Sequence, residues 1–145
     1  LPSKQRVSGS SPDRGAIFLK NIMDLNHKHL ILKGIMTCQL TVNEVKNVIQ
    51  SLVEKLGMKY VETMPTNPMV AYEPNENCGV TGIAIITTSH IVIHTWDDTK
   101  YFQADIYSCK DFDEKVVVEL IKSYGLTSKH QRLLDRNGEI KDLKY

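Results

Sequence analysis

The residues with chemistry to offer crowd into one stretch, Thr88-Ser89-His90-Ile91-Val92-Ile93-His94-Thr95-Trp96, followed by Cys109. A hydroxyl, two imidazoles, an indole and a thiol fall on what read as two adjacent strands, where a hairpin would bring them together. The simple pairings differ in consequence. Two histidines four apart can share one zinc on a helix. These two lie in a β-branched run, where four residues span about 13 Å and the rings cannot meet on one ion. No metal site is therefore expected. Ser89 lacks the Gly-x-Ser-x-Gly elbow of a serine hydrolase, and no pair of oxyanion-hole glycines follows it. Cys109 with His94 would make a thiolate pair, which spacing alone leaves open. Taken singly, His94, Trp96 and Cys109 suit a core lining equally well.

Those groups need elements to hold them. Lys28 to Met36 reads as a first strand, with Gly34 marking a bulge or close approach. Thr41 and Glu44 form a capping box for a helix whose apolar face is Val42, Val45, Val48, Ile49, Leu52, Val53 and Leu56, and Gly57 ends it. Met58 to Met64 reads as a second strand, broken by Pro65 and Pro68 and resuming over residues 69–72. Gly79 to Ile86, Ile91 to Trp96 and Tyr101 to Ser108 follow as strands, with a tight turn over residues 87–90. Asp111 is placed as the cap of a second helix that turns Val116, Val117, Leu120, Ile121 and Tyr124 inward and stops at Gly125.

This order predicts an α/β (α+β) two-layer sandwich, a mostly antiparallel sheet with two helices on one face and the other face open to solvent or a partner subunit. Residues 1–26 read as a mobile N-terminal extension, with a short helical turn over 16–25, and residues 27–125 as the core. Residues 126–145 read as a tail or a small hairpin around Asn137-Gly138.

The 145 residues suit one domain, and 41% hydrophobic with 24% charged residues is ordinary for a globular protein. A net charge of +1 gives no electrostatic case for nucleic acid or an anionic membrane. No apolar run is long enough to span a bilayer, and no signal-peptide core is seen. Cys38, Cys78 and Cys109 form no Cys-x-x-Cys motif and cannot all pair. A reducing, cytoplasmic setting with free thiols is the expectation.

The segment from Gly79-Val80-Thr81-Gly82 through Thr88-Ser89-His90 to His94-Thr95-Trp96 resembles the prokaryotic S-adenosylmethionine decarboxylase family. There a Gly-Val-Ser-Gly strand leads to Glu-Ser-His and then to a strand ending His-Thr-Trp-Pro-Glu. Lys28-His29-Leu30 resembles that family's Arg-His-Leu strand. Ala104-Asp105-Ile106-Tyr107-Ser108-Cys109 is similar to its aspartate-aromatic-Thr-Cys strand. The likeness spans roughly Lys28 to Gly125.

The resemblance implies a self-processing proenzyme. Ser89 attacks the preceding carbonyl, the Thr88–Ser89 bond is cut through an ester, and Ser89 becomes a pyruvoyl group. That group reacts with the substrate amine and withdraws electrons as the carboxylate leaves. His94 matches the histidine that assists processing, and Cys109 the cysteine that protonates the product. The turn location of Ser89 suits a peptide bond that must distort. The implied substrate is S-adenosylmethionine, the product the aminopropyl donor for spermidine synthesis, and the assembly a homodimer with the active site at its interface.

Four residues depart from the pattern. Thr81 stands for a serine implicated in processing, and Thr88 for a glutamate. Asp97-Asp98 stands for Pro-Glu, which leaves Asp98, beside Trp96, to hold the ribose with a shorter reach. Two other readings follow from these departures. One is a pyruvoyl-dependent decarboxylase of ornithine or arginine; the other is a homologue that neither processes nor catalyses.

Overall fold

Along its first strand this chain alternates an apolar side chain with one that tolerates water. In the computed structural model, residues 26–143 are described. The first strand, β1 (Lys28–Met36), buries Leu30, Leu32 and Met36 and turns Ile31, Lys33 and Ile35 outward. Helix α1 (Val42–Lys55) follows. The Thr41 hydroxyl accepts the Glu44 N–H at 3.2 Å, and the Glu44 carboxylate accepts the Thr41 N–H at 2.7 Å. Both bonds satisfy donors that a helix start leaves free. Strands β2 (Met69–Glu73), β3 (Gly79–Ile86), β4 (Ser89–Trp96) and β5 (Tyr101–Ser108) then run consecutively, before helix α2 (Glu114–Ser123) and strands β6 (Leu126–Asp135) and β7 (Lys141–Asp142).

The strands make one seven-stranded sheet in the order β2-β3-β4-β5-β1-β6-β7, with every pairing antiparallel. Both helices lie on one face. Val45, Val48, Ile49 and Leu52 of α1 and Val117 and Ile121 of α2 close over Leu30, Leu32, Ile91, Ile93, Phe102 and Ile106 of the sheet. Gly82 is where α1 comes closest. A Cβ there would lie 2.6 Å from the Ile49 methyl and 2.9 Å from a Val45 methyl, so a side chain would push the helix away. The opposite face is uncovered among the described residues, and Ile31, Ile35 and Ile85 stand 41%, 45% and 38% exposed on it. No helix among the described residues is long and apolar enough to cross a membrane.

The two-layer sandwich is as the sequence predicts. Several details are not. Residues 58–64 form no strand: Tyr60 makes a single bridge to Ile86, and pairing resumes only at Met69. The cap of α2 is Asp113, which accepts the Lys115 N–H at 2.9 Å, because Asp111 is drawn to Lys28 instead. The largest correction concerns residues 126–145, expected as a tail or small hairpin outside the core. Leu126–Asp135 pairs along all of β1, with a register shift between Lys33 and Gly34, and buries Leu126 and Leu133. Only beyond it does a short hairpin form, pairing Leu134 with Asp142. The expected extension and helical turn over residues 1–25 lie outside the described residues.

Burial of Leu126 in the interior gives a test of that correction. Leu126→Ala should lower the unfolding free energy by about 2–5 kcal/mol, read from urea midpoints. A segment lying outside the core would give a change within about 0.5 kcal/mol.

Candidate active site

Strands β3 and β4 form a hairpin whose register sets Ile86 opposite Ser89, leaving Thr87 and Thr88 as its two-residue loop. Thr88 has φ +54°. A β-branched residue in the left-handed region is a steric outlier, so backbone strain sits on the residue that precedes Ser89. Antiparallel pairing of β4 with β5 sets His90 beside Tyr107, which brings Cys109, just past the end of β5, to the start of β4. The Cys109 N–H donates to the Ser89 hydroxyl at 3.1 Å, and that hydroxyl lies 3.7 Å from the Cys109 sulfur. The Thr88 hydroxyl is closer still, 2.8 Å from Sγ, and donates to the Thr87 carbonyl at 2.8 Å. A cavity of ≈ 390 Å³ opens here, lined in part by Met58, Lys59, Ser89, Cys109 and Lys110.

The segment after Cys109 is pinned by Lys28. Its ammonium donates to Asp111 at 3.0 Å, to the Phe112 carbonyl at 2.6 Å and to Glu114 at 3.3 Å. Burial works to lower the Lys28 pKa. The bonds and charges of Asp111 and Glu114 outweigh it and hold the ammonium above its ordinary value. A buried cation is tolerated because it is paired and hydrogen-bonded.

His94 is elsewhere. It lies five residues along β4 from Ser89, about 16 Å at strand rise, and it faces the uncovered side of the sheet. There its Nδ1 meets the Thr81 hydroxyl at 3.0 Å across the β3–β4 ladder. The expectation that the hairpin would gather all these groups is thus corrected. It brings Thr88, Ser89 and Cys109 together at its tip and sets Thr81 with His94 at its far end, so Cys109 and His94 form no pair. Trp96 lies beside both the His94 ring and the Tyr101 ring, at centroid distances of 6.1 and 5.5 Å. A second cavity of ≈ 420 Å³ lies on this face, bordered by His94, Gln103, Asp105 and Arg132.

Asp97 and Asp98 form the turn that follows. Gln39 donates to one Asp97 oxygen at 2.6 Å, while the other is buried without a bonding partner among the described residues. Asp98 is exposed. Desolvation, then the neighbouring Asp97 carboxylate, raises the phenol pKa of Tyr72; desolvation, then Asp98, raises that of the Cys78 thiol.

One constellation went unassigned in the sequence. His29 of β1, His90 of β4 and Asp105 of β5 converge on the uncovered face, with the Asp105 Oδ1 accepting from His90 Nε2 at 2.7 Å and His29 Nε2 at 3.3 Å. The expectation of no metal considered only His90 with His94. These three residues do bring their donor atoms within 4.8 Å of one another. The hydrogen bonding runs against ligation, however. Arg136, always a donor, meets His29 Nδ1 at 3.4 Å, which assigns the ring proton to Nε2 and aims it at the carboxylate. Period-two alternation was the signal available, since it puts His29, His90 and Asp105 on one side of three neighbouring strands.

Burial pushes the Asp105 carboxyl up, but the bonds from His29 and His90 more than offset it and hold the pKa below its ordinary value. A carboxyl depressed in the fold contributes stability above its unfolded pKa of about 3.9, and that contribution is lost as pH falls through the folded value. Asp105→Asn should therefore be less stable than wild type at pH 6. The gap should narrow as pH falls from 6 to 3, as read from urea midpoints at both pH values.

Known proteins resemble this chain in sequence and in fold. The family model described as S-adenosylmethionine decarboxylase matches residues 32–136. The chain is 28% identical over 116 residues to an S-adenosylmethionine decarboxylase proenzyme of Clostridium botulinum (strain Loch Maree / Type A3), covering 79% of this chain and 90% of that one. It is 31% identical over 93 residues to the proenzyme of that name from Archaeoglobus fulgidus, covering 63% and 80%. The crystal structure of the adenosylmethionine decarboxylase from Aquifex aeolicus VF5 shares the fold, with a TM-score of 0.55 at 16% identity over 84% of this chain and 93% of that one. The matched stretch begins inside β1 and ends just past β6, so it takes in every strand and helix that carries these two groups of residues, and the chain belongs to the S-adenosylmethionine decarboxylase family.

Proposed function

We propose that this chain is a proenzyme that cuts itself between Thr88 and Ser89 and then decarboxylates S-adenosylmethionine, yielding the aminopropyl donor for spermidine synthesis. The observation that carries the reading is the Ser89 hydroxyl held between a strained Thr88 and Cys109. In processing, the Ser89 hydroxyl adds to the Thr88 carbonyl carbon, and the amide nitrogen takes the proton as it leaves, giving an ester. Loss of the Ser89 Cα proton then expels the Thr88 carboxylate. Uptake of water and release of ammonia leave a pyruvoyl group as the new N-terminus. The residues present fit such a group, since its precursor hydroxyl already accepts the Cys109 N–H and adjoins both the thiol and the cavity.

The pyruvoyl group supplies an electron sink for departure of the substrate carboxylate. Cys109 is assigned the proton return to the carbon left behind, since its sulfur adjoins the Ser89 side chain. Trp96 and Asp98 are assigned to the substrate, with Asp98 accepting from ribose hydroxyls. The free thiols of Cys38, Cys78 and Cys109 suit a cytoplasmic setting.

His94 and Thr81 are too far from Ser89 to assist it within one chain. The reading therefore includes a homodimer. A two-fold axis that lays the uncovered faces together, with the β4 strands running opposite ways, brings Thr81 and His94 of one copy toward the Thr88–Ser89 bond of the other. The half-exposed Ile31, Ile35 and Ile85 supply apolar area for that contact.

Intact-mass measurement should find fragments 1–88 and 89–145 in the wild type and one chain in Ser89→Ala; cleavage that persists in Ser89→Ala would falsify the processing scheme. A tagged His94→Ala chain should stay whole when made alone and be cut when co-expressed with Ser89→Ala, which supplies His94 in trans. Failure of that rescue would remove the shared site. Cys109→Ala should still process but lose about 10²–10⁴-fold in turnover. Asp98→Ala should raise KM for S-adenosylmethionine with little effect on cleavage. Both are read by CO₂ release from carboxyl-labelled S-adenosylmethionine, with labelled ornithine and arginine as the contrast.

A further inference from the structure

Thr88 touches the thiol that catalysis needs, and it does so only because of a conformation that cleavage removes. Its hydroxyl proton is committed to the Thr87 carbonyl at 2.8 Å. Toward Cys109, 2.8 Å away, the Thr88 oxygen is therefore the acceptor and the S–H the donor. The other oxygens near the sulfur, Ser89 Oγ at 3.7 Å and the Thr87 carbonyl at 3.9 Å, are more distant. What holds Thr88 in place is the closure of a two-residue loop between Ile86 and Ser89, at the cost of φ +54° on a β-branched residue. Cutting the Thr88–Ser89 bond ends that closure. Thr88 becomes a chain terminus free to leave the left-handed region, and its hydroxyl leaves the sulfur with it.

We propose that Thr88 is a positioning residue that latches the Cys109 thiol in the uncut chain, and that self-cleavage springs the latch and frees the thiol for catalysis. The inference rests on the processing scheme above for its second half only; the latch itself belongs to the uncut chain. It also assigns a role to the hydroxyl that stands here in place of the family's glutamate.

The test is the rate at which iodoacetamide modifies Cys109 in uncut protein, read by peptide mass so that Cys38 and Cys78 serve as internal controls. Alkylation requires the thiolate, so a thiol that is donating a hydrogen bond must first break it. In the Ser89→Ala background, Thr88→Val and Thr88→Ala should speed Cys109 modification about three- to tenfold, the size of one net hydrogen bond. Thr88→Ser should match the parent, and Cys38 should be unchanged throughout. Wild-type protein after cleavage should react at least as fast as the Thr88→Val variant. Equal Cys109 rates with and without the Thr88 hydroxyl would overturn the latch, as would cut wild type reacting no faster than uncut Ser89→Ala. A wild type that never cuts refutes the processing scheme, and the comparison among uncut variants still decides the latch.

Discussion

A strand sends successive side chains to opposite faces, and β4 carries chemistry on both of them. Ser89 shares its parity with Ile91 and Ile93, which are fully buried beneath the helices. His90 and His94 share the other parity and face away. No rotamer change can carry His94 to Ser89, because the separation is set by backbone period and strand rise. Every later feature follows from that division. The hairpin tip holds the Ser89 hydroxyl and a thiol, and the far end of the ladder holds an imidazole and a hydroxyl. A chemistry that needs both must be served by a second surface.

The tip itself depends on anchoring from outside the hairpin. Cys109 leaves β5 just where the chain must turn toward α2, and a loop at that point would drift without support. Lys28 supplies it, joining the first residue of β1 to Asp111, Phe112 and Glu114. Asp111 is thereby withdrawn from helix capping, and Asp113 takes that role. Helix start, loop and the Cys109 thiol are thus tied to β1 by one buried ammonium, whose three acceptors repay its desolvation.

Much of this was legible in the residues, for reasons that also explain what was not. The Thr41–Glu44 box and the apolar stripe of α1 are local signals, complete within a few turns, and they gave that helix to within a residue. The strand over Ile91 to Trp96 showed clean alternation, and that over Gly79 to Ile86 stood out by its small and β-branched residues. β6 did not, since only Leu126 and Leu133 of its ten residues are buried and the middle is exposed and polar. Its pairing with β1 is satisfied by backbone hydrogen bonds, which leave no mark on side-chain type. At the site, residue types pointed to the chemistry and family motifs to the assignments. The division into two groups was present in the parity of Ser89 against His94 but became visible only once the faces were known. The His29–Asp105–His90 cluster needed the order of three strands, which no single segment encodes.

Backbone strain at Thr88 has a further consequence for how such a site can work. A left-handed β-branched residue persists only while surrounding structure over-determines it, and here the over-determination is covalent. Under the processing proposed above, the bond that enforces the strain is also the one that is cut. Relief of strain then favours the cut chain over the intact one, and it removes the geometry from which re-ligation would have to start. A hairpin with an unstrained Asn-Gly loop would keep its ends together after cleavage with nothing gained. With that processing, the placement of Thr88 at this loop, rather than a residue suited to it, makes local misfit in the uncut chain a driving term for a one-way conversion.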